Sequence, residues 1–348
     1  MVVLLLPLVT AILLFVPRPD RYASSQKAPN AMQERLYGRL AAAGLTGDEL
    51  ATVGALTLGY KQGLDKELRR HFQASGAAHV LAVSGLHTGI IYGVLLWLLT
   101  LGGRVKPQYE NRAGRWTVSL IILAAMWCYA WLTGMTPSVV RAVVMVSIFE
   151  IGRMAYRPAF SINTIAGAAV LILIARPTDL WSVSFQLSFT ATAAIVLLVK
   201  AIPPNPLTRS SAHPLIRYIF GTVIISIAAQ LGTIPLTMYY FGQISNYFLL
   251  TNLIVLPLAT MLVPCGLISI ALGGSCLGLL VGKVTWALAW TMNHAVQWIE
   301  HLPGSTTHVS VSGTMVLLYY ALFLGFLYNF LRISKKSSTF AQKLEDKS

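Results

Sequence analysis

The sequence predicts an all-α fold: a polytopic transmembrane helical bundle of about ten membrane segments, including short or broken helices, with interfacial amphipathic helices before the main bundle. Three observations predict it. The 348 residues are 55% hydrophobic and only 11% charged, against about 25% charged in an ordinary soluble domain. Mean hydropathy is +0.66. The apolar residues also fall into blocks of about 16–26, the length that crosses a bilayer as a helix rising about 1.5 Å per residue.

The first block, near 1–17, "MVVLLLPLVTAILLFVPRPDR", lacks a basic n-region and a small-residue cleavage site, so it is expected to be a retained membrane segment rather than a signal peptide. Residues 18–76 are expected to form an extracytoplasmic region. A polar, proline-containing linker over 18–30 leads into 31–43, where Met32, Leu36 and Leu40 stand four apart with Glu34, Arg35 and Arg39 elsewhere on the wheel. A second helical pattern over 48–72 is interrupted by Gly54, Gly59 and Gly63. Both patterns suit helices lying in the outer interface. The bundle proper, 77–332, follows with segments near 77–101, 116–134, 137–152, 160–176, 181–199, 215–241, 247–272, 277–300 and 311–332, and a basic tail closes the chain over 333–348. Two of these segments, 137–152 and 160–176, run about 16 residues, below the ~17–25 of a full span. Pro235, Pro257 and Pro264 interrupt two later ones. Half-length helices whose freed backbone groups face an aqueous cavity would explain these features. Proline kinks satisfied by neighbouring helices would explain them equally.

The formal net charge of +14 reads first as topology. Basic connections, including Arg104, Lys106, Arg112 and Arg115, then Arg153 and Arg157, then Lys200, Arg209 and Arg217, fall on one side if the segments alternate. The loops 134–136 and 242–246 carry neither Lys nor Arg. The positive-inside rule then places both termini in the cytoplasm. Cys128, Cys265 and Cys276 have no metal-ligand or redox spacing and are expected to be small buried hydrophobes.

Six polar residues inside apolar segments need a reason: Ser84, His87, Arg141, Gln186, Gln230 and Asn252. An ionisable or polar group in a span normally faces the bundle interior. With the topology above, all six fall between the outer surface and the midplane, which suggests a polar vestibule narrowing inward. Each has a plainer explanation. Ser84 can bond back to its own helix, and Gln186, Gln230 and Asn252 are the residue types that join helices by hydrogen bonds. Arg141 calls for a pore-lining role or a buried ion pair. No acid lies at matching depth, with Glu150 expected near the inner surface, which favours an anionic ligand such as a phosphate.

Enzyme patterns fit poorly. A serine-hydrolase box around Ser84 would need glycine at Ala82, and a helical i, i+3 Ser84–His87 pair rarely aligns a hydroxyl for attack. His79 and His87 do not share a helix face suited to a metal, and no carboxylate is near. "GLLVGKVT", 278–285, is one residue short of a P-loop and lacks a preceding strand. No cofactor is expected, and no nuclease or NTPase motif is present.

Four stretches, "SGAAHVLAVSGLHTGII", "GMTPSVVRAVVM", "RPTDLWSVSFQLSFTATAAI" and "AAQLGTIPLTMYYFGQISNYFLLTNLIVLPL", resemble in order the conserved blocks of the ComEC/Rec2 family of competence DNA-uptake channels, a likeness covering about residues 31–332. The resemblance implies a bacterial inner-membrane channel, or channel core, that carries single-stranded DNA into the cytoplasm during natural transformation. Its partners would be single-stranded DNA, the lipid bilayer and other competence proteins, including a separate motor and nuclease. Such a path needs cationic groups for phosphates and aromatic faces for bases. Arg141 offers the first, and Phe185, Phe189, Tyr239, Tyr240, Phe241, Tyr247 and Phe248 offer either stacking faces or an interfacial belt. Longer members of the family resemble this chain plus an OB-type and a metallo-β-lactamase-type domain, and neither is expected within these residues. The competing expectations are a transporter of a small anionic solute and a Ser84-dependent intramembrane hydrolase.

Overall fold

The computed structural model describes residues 30–81, 83–100, 112–156, 162–201 and 213–326, so the predicted segment 1–17 and the tail 333–348 lie outside the described residues. In chain order the elements are α1 (Ala31–Ala42), α2 (Gly47–Leu58), α3 (Lys66–Ser75), α4 (Gly85–Leu99), α5 (Arg112–Leu132), α6 (Pro137–Met154), α7 (Ile162–Ala175), a 3₁₀ turn (Pro177–Trp181), α8 (Val183–Ala201), α9 (Pro214–Phe241), β1 (Gln243–Ser245), α10 (Phe248–Leu272), α11 (Cys276–Glu300), β2 (Thr306–His308) and α12 (Gly313–Phe326). The strands β1 and β2 pair with each other. The fold is an all-α membrane bundle. Among the described residues, three helices, α5, α9 and α10, are long and apolar enough to cross a bilayer, and α4, α7, α8 and α12 are shorter apolar helices.

The chain forms two compact units. Of the described residues, the larger takes those within 30–174 and 244–307, the smaller those within 175–243 and 308–326. In the larger unit, α10 and α11 form a hairpin that receives α1, α2 and α3, while α4, α5 and α6 pack on one another and α4 also meets α10.

Local chemistry explains the element ends. Asn30 opens α1 with a capping box: its Oδ1 accepts from Gln33 N–H at 2.7 Å, and Gln33 Oε1 accepts from Asn30 N–H at 3.0 Å. The amide of Gln33 reaches on to the Leu58 carbonyl, 2.9 Å away, at the end of α2. The 48–72 pattern resolves into two helices, because Gly59 takes φ 69 and ends α2 in the left-handed conformation. α3 has the two-faced character of an interfacial helix, with Leu68, His71, Phe72 and Ser75 buried. α2 differs: every residue from Ala51 to Leu58 is buried. Gly266 lets the side chains of Val53 and Thr57 lie directly on the α10 backbone, since a Cβ there would come within 2.6 Å of Thr57 Cγ2.

In the smaller unit, α8 lies along α9. A Cβ on Gly232 would sit 2.9 Å from the Thr190 carbonyl oxygen. α9 and α10 run through Pro235, Pro257 and Pro264 as continuous helices. Pro235 has no N–H to give to the Leu231 carbonyl four residues back. The Tyr319 hydroxyl donates to that carbonyl instead, at 2.8 Å, and Tyr320 donates to Gly232 O at 2.8 Å. At Pro235, therefore, a neighbouring helix fills the gap and no aqueous cavity is needed.

Candidate functional site

The segment predicted to run from 77 to 101 becomes helical only at Gly85. Ser84 is therefore the N-cap of α4 and not a mid-span residue. Its Oγ accepts from Leu86 N–H at 3.2 Å, and its own N–H donates to His87 Nδ1 at 3.0 Å. That bond assigns the lone pair to Nδ1 and the proton to Nε2. The Oγ–Nδ1 separation of 3.2 Å belongs to the same capping box, which starts the helix. His87 is fully buried, and its Nε2 has no hydrogen-bond partner among the described residues.

α6 begins beside it. The Ser138 hydroxyl, in the first turn of α6, donates to the Val83 carbonyl at 2.7 Å, and the Gly85 backbone lies against Ala142. Farther along the same pair of helices, Tyr92 OH donates to Glu150 at 2.8 Å. α4 and α6 are thus parallel neighbours with their N-termini side by side. Free N–H groups and aligned peptide dipoles make such an end electropositive. Thr136, the N-cap of α6, makes no side-chain cap, and its buried Oγ1 has no partner among the described residues. One turn in, Arg141 is 2% exposed, the largest of the fully buried side chains. The structure therefore gathers Ser84, His87 and Arg141 around one pair of helix starts, a setting that favours an anion. Glu150 is committed elsewhere on α6, where its Oε2 pairs with Arg153 Nη2 at 2.5 Å.

The other three predicted residues are placed as follows. Asn252 lies in the first turns of α10, 9% exposed, beside Thr251, whose hydroxyl donates to Ser75 O at 2.7 Å. Gln186 and Gln230 belong to the smaller unit. Gln186 is bonded at both ends: its Nε2 donates to Leu180 O at 3.0 Å, and its Oε1 accepts from Tyr240 OH at 2.7 Å. It joins α9 to the turn before α8, as interhelical glue does. Gln230 is half-buried on α9.

Among the proposed aromatic faces, Phe185 and Phe189 are buried and pack on each other with centroids 4.4 Å apart, so they serve the core of their unit rather than a belt or a stacking surface. Sequence reasoning missed a different row. Trp286, Trp290, His294 and Trp298 stand four apart on α11, all exposed, with Trp290 and His294 rings 4.0 Å apart. The four-residue spacing was the available signal, hidden because tryptophan in an apolar segment reads as a lipid anchor. The row extends about 18 Å along the helix at ~1.5 Å per residue, too far for a single interfacial belt across an upright helix. Among the described residues there is no cluster of His, Cys, Asp and Glu able to hold a metal ion.

The chain matches a family model described as Competence protein over residues 56–333. It is 27% identical over 270 residues to ComE operon protein 3 of Bacillus subtilis (strain 168), covering 77% of this chain and 32% of that protein. To Recombination protein 2 of Haemophilus influenzae it is 28% identical over 229 residues, 64% of this chain and 28% of the relative. To the uncharacterized protein YcaI of Escherichia coli (strain K12) it is 27% identical over 214 residues, 60% of this chain and 27% of the relative. The matched region thus spans about a third or less of the length of these relatives. No solved structure matches the chain significantly.

Proposed function

The chain belongs to the competence protein family, and from that membership we propose that it forms the membrane core of a channel carrying single-stranded DNA into the cytoplasm during natural transformation. A relative named for recombination and a family named for competence support DNA as the cargo. The observation that carries the reading is Arg141: a wholly buried guanidinium one turn inside an apolar helix, beside two adjacent helix N-termini. Opening of the helix starts around Arg141 would let a strand present one phosphate at a time to that cation and to the Nε2–H of His87. Asn252 contributes from α10, and Gln186 and Gln230 buttress the smaller unit. The exposed row from Trp286 to Trp298 supplies faces on which successive bases can stack. The protein sits in the inner membrane with both termini in the cytoplasm, in line with its basic loops. Other competence proteins, a motor and a nuclease activity among them, complete the pathway.

The test is reconstitution. Proteoliposomes holding the protein should protect a fluorescent single-stranded oligonucleotide from added nuclease, and Arg141→Ala should abolish that protection while Arg141→Lys keeps part of it. Flux of a small inorganic anion with no oligonucleotide entry would replace the DNA channel with the anion transporter.

A further inference from the structure

A second buried guanidinium lies far from Arg141, near the opposite end of α6, and among the described residues no carboxylate pairs with it. Arg115 stands in the first turn of α5 and is 4% exposed. Its Nε and Nη2, the two N–H groups along one edge of the fork, are closed off from solvent and have no hydrogen-bond partner among the described residues. The flat face of the group lies 3.2 Å from the centroid of the Tyr156 ring. That cation–π contact holds the charge in place but satisfies no N–H.

The surroundings are polar and already committed. Ser119, one turn along α5 and fully buried, accepts from Arg153 Nη2 at 3.1 Å. Arg153 pairs with Glu150, whose other oxygen takes the Tyr92 hydroxyl. Glu150 is thus already taken by Arg153 and Tyr92. A buried cation with no counter-charge costs several kcal/mol. The unpartnered Nε/Nη2 edge has the geometry that receives two oxygens of one oxyanion in parallel. Tyr156 covers the group from outside: it is 68% exposed and held at φ 55, where a bulky residue is strained.

We propose that Arg115, with Arg153 and the Ser119 hydroxyl behind it, forms a binding site for the headgroup phosphate of an anionic phospholipid, with Tyr156 as its cover. The lipid source follows from position. α5 is apolar enough to span from Ala113, so Arg115 lies at the margin where hydrocarbon gives way to headgroups. The adjacent Trp116 is 41% exposed, as an interfacial anchor is. This is also the basic end of the bundle, where anionic lipids gather. The proposal does not depend on what the protein transports.

Native mass spectrometry of the purified protein, titrated with phosphatidylglycerol or phosphatidylcholine, tests it. The protein should retain phosphatidylglycerol in preference to phosphatidylcholine. Arg115→Gln should weaken that retention at least about tenfold, the worth of one charge-assisted hydrogen bond. Arg115→Lys, which keeps the charge but not the fork, should fall between. If Arg115→Gln does not fold, Tyr156→Ala gives the second reading: with the cover gone and the guanidinium kept, phosphatidylglycerol should bind at least as tightly as to the unaltered protein. Equal retention of both lipids, unchanged binding by Arg115→Gln, or loss of binding in Tyr156→Ala would overturn the site. Displacement of the lipid by millimolar inorganic phosphate would make it a free-anion site. Displacement by a single-stranded oligonucleotide would make it part of the DNA path. Either result would overturn the lipid assignment.

Discussion

Substituting Glu150 by glutamine should destabilise the larger unit sharply although the side chain hardly changes shape. Glu150 is fully buried. One oxygen takes the Tyr92 hydroxyl from α4 at 2.8 Å, and the other pairs with Arg153, which in turn donates to Ser119 of α5 at 3.1 Å. A single carboxylate therefore ties together three helices. Glutamine retains an acceptor for Tyr92, so that bond survives. What disappears is the negative charge opposite a guanidinium whose side chain is only 15% exposed. Removing one member of a buried pair costs ~3–5 kcal/mol, because the remaining charge stays desolvated, whereas a neutral hydrogen bond is worth about 1 kcal/mol. In a unit of about 200 residues each kcal/mol moves the midpoint of thermal unfolding by ~2–4 °C, so the expected drop is ~6–20 °C. Intrinsic tryptophan fluorescence during a thermal ramp in mild detergent reads it. The double variant Glu150→Gln/Arg153→Met should recover most of the loss, since it removes both charges together. A midpoint unchanged by Glu150→Gln, or a double variant that loses the sum of the two single effects, would show that charge compensation does not hold these helices.

Two further outcomes follow from close contacts. Gly282→Ala should cost ~1–3 kcal/mol in the same thermal ramp, because its new Cβ would overlap the Ala43 carbonyl oxygen, a backbone atom that cannot turn aside. Gly38→Ala, with nothing within 4 Å of the added carbon, should be neutral or slightly stabilising. Tyr319→Phe should lower the melting midpoint of the smaller unit by stripping the Leu231 carbonyl of its donor. Pro235→Ala added to it should restore stability, because alanine brings back the backbone N–H that Pro235 lacks.

The helices that hydropathy delimits well are those whose ends coincide with a change of solvent. α9, α10 and α11 begin and end within a residue or so of the apolar blocks 215–241, 247–272 and 277–300. Hydropathy cannot tell lipid from protein, and this is why α2 was hard to place. Its glycines and small residues read as a weak interfacial helix, yet they let it lie in the core between α10 and α11. The start of α4 was misjudged for a related reason. Residues 77–84 are as apolar as a helix, and only the Ser84–His87 capping box sets the boundary. Arg141 was legible as an oddity because an arginine stands out in an apolar run. Arg115 and Arg153 were not, because at a segment end they look like ordinary positive-inside residues. Burial and pairing, which a sequence does not display, distinguish them.

The central claim is that Arg141 guides the phosphates of an incoming strand, and transformation frequency in the cells that make the protein tests it most directly. With protein levels matched in the membrane, Arg141→Ala should reduce uptake of selectable DNA at least about tenfold, the equivalent of one charge-assisted contact, and Arg141→Lys should recover part of it. Normal transformation by Arg141→Ala would contradict the account.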